Sequence, residues 1–144
     1  MYGDQNSQKC LFSCLTGYYS DNVTNLCVGS TLCSVNTFSD PVTGRCVKFC
    51  SLGYYVDNNT NSCVQSCPTG YADNKTGLCV AQCPAVDGTY ADPMMNKCTS
   101  LCTSSNFADS FDQVCRSICS GTTFGDPLSK QCVATCPAFG YTFG

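Results

Sequence analysis

Residues 50–83 read Cys50-Ser-Leu-Gly-Tyr-Tyr-Val-Asp57-Asn-Asn-Thr-Asn-Ser-Cys63-Val-Gln-Ser-Cys67-Pro-Thr-Gly-Tyr-Ala-Asp73-Asn-Lys-Thr-Gly-Leu-Cys79-Val-Ala-Gln-Cys83. The stretch states one phrase twice: an aromatic, any residue, Asp, five residues, Cys, three residues, Cys. Outward from it the phrase recurs along the whole chain, the sign of a repeat architecture. Asp4, Asp21, Asp40, Asp57, Asp73, Asp92, Asp109 and Asp126 each lie six residues before a Cys. Two residues before each Asp stands Tyr2, Tyr19, Phe38, Tyr55, Tyr71, Tyr90, Phe107 or Phe124. One spacer departs from the rule: five residues, not three, separate Cys27 from Cys33.

Composition narrows the class. Sixteen of the 144 residues are Cys, a density typical of secreted disulfide scaffolds. All ten acids are Asp, and His, Trp and Glu are absent. Turn formers outnumber helix formers, so little helix is expected. A net charge of −3 with seven scattered basic residues argues against an electrostatic nucleic-acid binder. No apolar run of 18 residues marks a spanning helix. Residues 1–9 are too polar for a signal peptide.

Chemistry is sparse. Without His or Glu there is no Ser-His-Asp or Cys-His arrangement, and no phosphate-binding Gly loop occurs. The chain is therefore read as no enzyme and as using no cofactor. Zinc sites usually add His to their Cys pairs, and the 16 aromatics suit disulfide packing better than a thiolate-wrapped metal chain. Calcium takes six to eight oxygens, whereas each unit offers one acid. No metal site is expected.

Each phrase has a local mechanism. The repeat Asp caps a type I turn through its carboxylate, and Pro at the next position presets φ. Asn25, Gly44, Asn61, Gly77 and Asn96 then suit the left-handed position that closes a hairpin. The turn-capping residues are thus Asp4, Asp21, Asp40, Asp57, Asp73, Asp92, Asp109 and Asp126. About 17 residues cannot bury a core, so a disulfide, worth roughly 3 kcal/mol for a loop of this size, and stacking on neighbours must hold each unit. The fold expected is a small disulfide-rich, mostly β-hairpin architecture with little helix: an elongated tandem-repeat rod of about eight single-disulfide modules. Units run approximately 1–14, 15–33, 34–50, 51–67, 68–83, 84–102, 103–119 and 120–136, with 137–144 the start of a further unit.

An extended spacer sets the two cysteines of a Cys-x3-Cys pair about 13 Å apart, beyond disulfide reach. Two pairings remain. The sequential one is preferred because it tolerates any spacer: Cys14–Cys27, Cys33–Cys46, Cys50–Cys63, Cys67–Cys79, Cys83–Cys98, Cys102–Cys115 and Cys119–Cys132. It leaves Cys10 and Cys136 to pair outside the segment. The interleaved alternative begins 10–27 and 14–33. Because the chain starts and stops in mid-unit, it reads as a segment of a longer array.

Asn22, Asn58 and Asn74 each begin an Asn-x-Thr sequon at the residue after the repeat Asp, an exposed tip suited to N-glycans in a secreted protein. The repeat aromatics read as hydrophobic plugs against disulfides. Tyr18 and Tyr54 fall on the opposite strand face and are candidates for inter-chain contact.

The segments Cys-Pro-Thr-Gly-Tyr-Ala-Asp at 67–73, Cys-Val-Ala-Gln-Cys at 79–83, Cys-Ser-Leu-Gly-Tyr-Tyr-Val-Asp at 50–57 and Cys-Val-Gln-Ser-Cys at 63–67 resemble the furin-like, growth-factor-receptor cysteine-rich repeat family, also found in protist cysteine-rich surface-protein arrays. The resemblance covers the whole chain and implies rods of single-disulfide loops that serve mostly as spacers. The function expected is an extracellular structural repeat protein, a segment or protomer of a surface coat, filament or fibril. Its partners would be copies of itself or further repeats of the same chain, with covalent glycans, no nucleic acid and no membrane span; its place is the cell surface or beyond. The alternative is the stalk or ectodomain of a receptor or adhesin that binds a protein ligand, its recognition site at Gly29, Ser30 and Thr31 or in the longer loop from Ala85 to Tyr90. A disulfide-rich protease inhibitor is a third reading.

Overall fold

The computed structural model describes residues 1–138. Its strands come in pairs, one pair per phrase: β1 (Tyr2–Asp4) with β2 (Lys9–Leu11), β3 (Tyr18–Asp21) with β4 (Leu26–Gly29), β5 (Phe38–Asp40) with β6 (Arg45–Val47), β7 (Tyr55–Asp57) with β8 (Ser62–Val64), β9 (Tyr71–Asp73) with β10 (Leu78–Val80), β11 (Tyr90–Asp92) with β12 (Lys97–Thr99), β13 (Phe107–Asp109) with β14 (Val114–Arg116), and β15 (Phe124–Asp126) with β16 (Gln131–Val133). Among the described residues there is no α-helix, only one short 3-10 turn at Ala85–Asp87 closed by Gly88 at φ +64°. Fold class follows the sequence reading: small β-hairpin modules, each after the first closed by one disulfide.

The hairpins are in register through the repeat residues. The position between aromatic and Asp faces a second-strand Cys: Gly3 faces Cys10, Ser39 faces Cys46, Val56 faces Cys63 and Gly125 faces Cys132. At the tip the Asp carbonyl accepts the backbone N–H four residues on, as in Asn25 to Asp21 (2.8 Å) and Gly44 to Asp40 (2.9 Å). The turn is therefore one residue wider than the type I turn expected. The residue four after the Asp is left-handed in every hairpin, and three of the eight are neither Gly nor Asn: Gln8 (φ 55°), Gln113 (φ 59°) and Lys130 (φ 59°).

The chain divides into two compact units, one ending at Cys79 and one beginning at Val80. In the first, the strands lie in the order β9-β10-β7-β8-β5-β6-β3-β4-β1-β2. In the second, the order is β15-β16-β13-β14-β11-β12. Each order arises from one rule. The first strand of a hairpin pairs antiparallel with its own second strand and parallel with the second strand of the next hairpin, as β5 does with β6 and β8.

The parallel contact is short and repeats closely. The N–H of the residue between aromatic and Asp donates to the carbonyl of the next hairpin's left-handed residue. The pairs are Gly3 to Asn25, Ser20 to Gly44, Ser39 to Asn61 and Val56 to Gly77 in the first unit, and Ala91 to Gln113 and Ala108 to Lys130 in the second, at 2.7–3.2 Å. The left-handed turn thus turns a carbonyl toward the preceding hairpin. The core is correspondingly thin: it consists of disulfides, these small central residues and the aromatics laid over them.

Candidate functional site

The sulfur chemistry is a chain of single staples. The structure joins Cys14–Cys27, Cys33–Cys46, Cys50–Cys63, Cys67–Cys79, Cys83–Cys98, Cys102–Cys115 and Cys119–Cys132, with Cα separations of 5.5–5.7 Å. Cys10 and Cys136 are free and exposed.

Three repeat aromatics pack forward, onto the next hairpin. Tyr55 lies against the Cys67–Cys79 disulfide and Ala72 of the next hairpin. Tyr90 does the same on Cys102–Cys115 and Ala108. Phe107 covers Gly125 so closely that a Cβ there would stand 2.6 Å from the ring. This explains why the residue between aromatic and Asp is small: Gly3, Ser20, Ser39, Ala72, Ala91, Ala108 and Gly125, with Val56 the largest. That position carries a signal, treated as variable in the sequence reading.

The eight repeat aspartates are all buried, Asp92 completely. One carboxylate oxygen accepts the N–H two residues on, from Asn6, Val23, Val42, Asn59, Lys75, Met94, Phe111 and Leu128 in turn. The other accepts a hydroxyl three residues on where one exists: Ser7, Thr24, Thr43, Thr60, Thr76 and Ser129. It also reaches the residue after the next unit's first Cys. Ser34 binds Asp21 (2.5 Å), Ser51 binds Asp40 (2.6 Å), Ser120 binds Asp109 (2.5 Å), and the Thr103 N–H binds Asp92 (3.3 Å). Asp thus ties the tip to the following unit, a role the spacing did not disclose. Asp112 stands where six other tips have Ser or Thr, and it pairs with Arg116.

These donors set the charge state. Burial pushes the Asp21 and Asp109 carboxyls up, but the Ser34 and Ser120 hydroxyls and the backbone N–H groups outweigh it and hold both below the ordinary value of 3.8. Asp4 and Asp126 are lowered chiefly by Ser7 and Ser129. The carboxylates face N–H and O–H donors, and Asp109 also lies 3.8 Å from Arg116 Nε, surroundings that favour the ionised form.

The tips carry the sequons. Asn22, Asn58 and Asn74 are exposed. Asn22 accepts the Tyr2 hydroxyl at 2.5 Å, and Asn74 accepts that of Tyr55, each through Oδ1. The amide nitrogen, the atom that bears an N-glycan, is not used in these bonds. The preceding aromatic of Asn58 is Phe38, which has no hydroxyl to give.

Of the other candidates, Tyr18 accepts a bond from Asn6 Nδ2 at 2.9 Å and is tied to the first tip, while Tyr54 is half-buried. Gly29 ends the longer strand β4 and closes a turn to Leu32, leaving Ser30 and Thr31 exposed. Ala85–Asp87 is the 3-10 turn already described. Two shallow grooves recur at equivalent places, one lined by Val23 and Phe49 and one by Met94 and Ile118. No family model, curated protein or solved structure matches the chain.

Proposed function

We propose that this chain is an extracellular structural repeat protein, a protomer or segment of a coat, filament or fibril. The observation that carries the proposal is the recurrence of one junction. The same backbone bond, the same forward-packed aromatic and the same buried Asp repeat from hairpin to hairpin. In such an array each module contacts only its neighbours and extension costs no new design. Seven disulfides in one chain suit an oxidising compartment. The resemblance to furin-like repeats supports the same spacer role.

Asn22, Asn58 and Asn74 are N-glycan sites in this reading. Their exposure supports it, as does the engagement of Asn22 and Asn74 through Oδ1 and not through the amide nitrogen in the bonds from Tyr2 and Tyr55. Electron microscopy of the purified chain tests the proposal. Uniform filaments are expected; dispersed particles under oxidising conditions at all concentrations would overturn it. Peptide masses before and after glycosidase treatment test the tips separately.

A further inference from the structure

Two hollows adjoin on the second and third hairpins, and one guanidinium is common to both. The first, about 420 Å³, has walls from Phe12, Leu15 and Tyr18. The second, about 440 Å³, has walls from Val23, Val47 and Phe49. Arg45 lines both and is exposed. Phe12 and Phe49 are 88% and 87% exposed, so each hollow offers an aromatic face to a ligand. Tyr18 owes its place to the one irregular spacer. The five residues between Cys27 and Cys33 give β4 room to run on to Gly29, which faces Tyr18 in the strand pair. Every other first strand begins at its repeat aromatic.

The positive charge here has no internal counter-charge. Among the described residues no carboxylate forms an ion pair with Arg45 or with Lys48, which lines the second hollow. Asp21 and Asp40, on the same two hairpins, are buried and already accept N–H and O–H donors of their own tips and the hydroxyls of Ser34 and Ser51. The equivalent groove of the second unit supplies the contrast. Its walls are Met94 and Ile118, but its Arg116 pairs with Asp112 and lies 3.8 Å from Asp109.

We propose that Arg45 and its two hollows bind an extended segment of a partner protein with the pattern apolar-x-acid-x-apolar. Alternate residues of an extended chain share one face. The acid then meets the guanidinium through a two-bond fork, while the apolar side chains two residues before and after it enter the hollows. Those side chains stand about 13 Å apart along such a segment. Lys48 adds a second positive charge to the second hollow. The proposal goes beyond the filament reading and does not depend on it.

The test uses the full 144-residue chain with Asn22→Gln throughout, because Asn22 lines the second hollow and a sugar there would stand at its rim. The probe is a fluorescein-labelled peptide with the core Phe-Ser-Asp-Ser-Leu between Gly-Ser flanks, read by fluorescence anisotropy. Saturable micromolar binding is expected. Replacing the peptide's Asp by Asn, or moving it one place to give Phe-Asp-Ser-Ser-Leu, is expected to weaken binding at least tenfold; neither change touches the protein's folding. Arg45→Gln is expected to abolish the preference for Asp over Asn. Arg45→Lys should keep that preference and bind several-fold more weakly, since a point charge lacks the fork. Ile118→Ser, in the equivalent groove, should shift binding less than twofold. No saturable binding by about 1 mM, equal binding of the Asp and Asn peptides, or an Asp preference that survives Arg45→Gln overturns the proposal and leaves the filament reading standing.

Discussion

Replacing Tyr55 by Ala removes the plug between two hairpins while leaving every disulfide intact. Tyr55 is 7% exposed and packs on Cys67, Cys79 and Ala72. Large-to-Ala changes at aromatic core sites cost about 3–5 kcal/mol through lost transfer energy and the cavity left behind. Because the modules are stapled separately, the loss should appear as local opening of one junction and not as global unfolding. The reporter is the Val56 amide, which donates to the Gly77 carbonyl at 2.8 Å. At about 1.4 kcal/mol per decade, its hydrogen-exchange protection should fall roughly a hundred- to several-thousand-fold. The Ser20 amide, bonded to Gly44 two hairpins away, should change less than threefold. Tyr55→Phe keeps the ring and removes the hydroxyl with its bond to Asn74, so its Val56 amide should lose tenfold or less. Unchanged protection at Val56 in the Ala variant, or an equal loss at Ser20, would refute the forward-packing argument.

Three further outcomes follow from particular residues. Ser39 Oγ is buried without a partner, and Ala fills its position at 72, 91 and 108; Ser39→Ala should stabilise by about 1 kcal/mol in denaturant titration, and a loss of that size would contradict it. Gln113 sits at φ 59°, a left-handed conformation costing about 1–2 kcal/mol; against Gly's unfolded-state entropy of about 0.5–1 kcal/mol, Gln113→Gly should raise the melting temperature by about 2–4 °C, and a fall would show that the conformation carries no strain. Asp4, Asp21, Asp109 and Asp126 have folded-state carboxyls below 3.8. Their contribution is therefore present above the unfolded value and lost as pH falls through the folded one. Melting followed by circular dichroism should be flat from neutral pH to about 5 and decline below about 4; a decline beginning near neutrality would argue against these carboxylates.

The hairpins were legible because Asp, the turn residues and Cys keep a fixed spacing, which fixes strand register. Asn25, Gly44, Asn61, Gly77 and Asn96 announce the left-handed position by residue type. Gln8, Gln113 and Lys130 do not: there the hairpin register imposes the conformation against side-chain preference, so residue type gave no cue. The width of the turn was also hidden, since an Asp with a following Pro or Asn fits several turns. Which disulfide an aromatic covers was not legible because its own and the next lie at similar spacing. The small residues before Asp and the hydroxyls of Ser34, Ser51 and Ser120 after Cys were visible in the sequence. Their meaning appears only when the next hairpin is alongside.

The account stands on each hairpin from β3–β4 onward being closed by its own disulfide, and on consecutive hairpins holding one another. Mass mapping of non-reduced proteolytic peptides tests this most directly, with cleavage inside the Cys-x3-Cys spacers and the hairpin tips. The account predicts linked peptides for Cys14–Cys27, Cys33–Cys46, Cys50–Cys63 and the four pairs that follow. A peptide joining Cys14 to Cys33, or Cys10 to Cys27, would contradict it, because the aromatics would then have no closed loop ahead of them to cover.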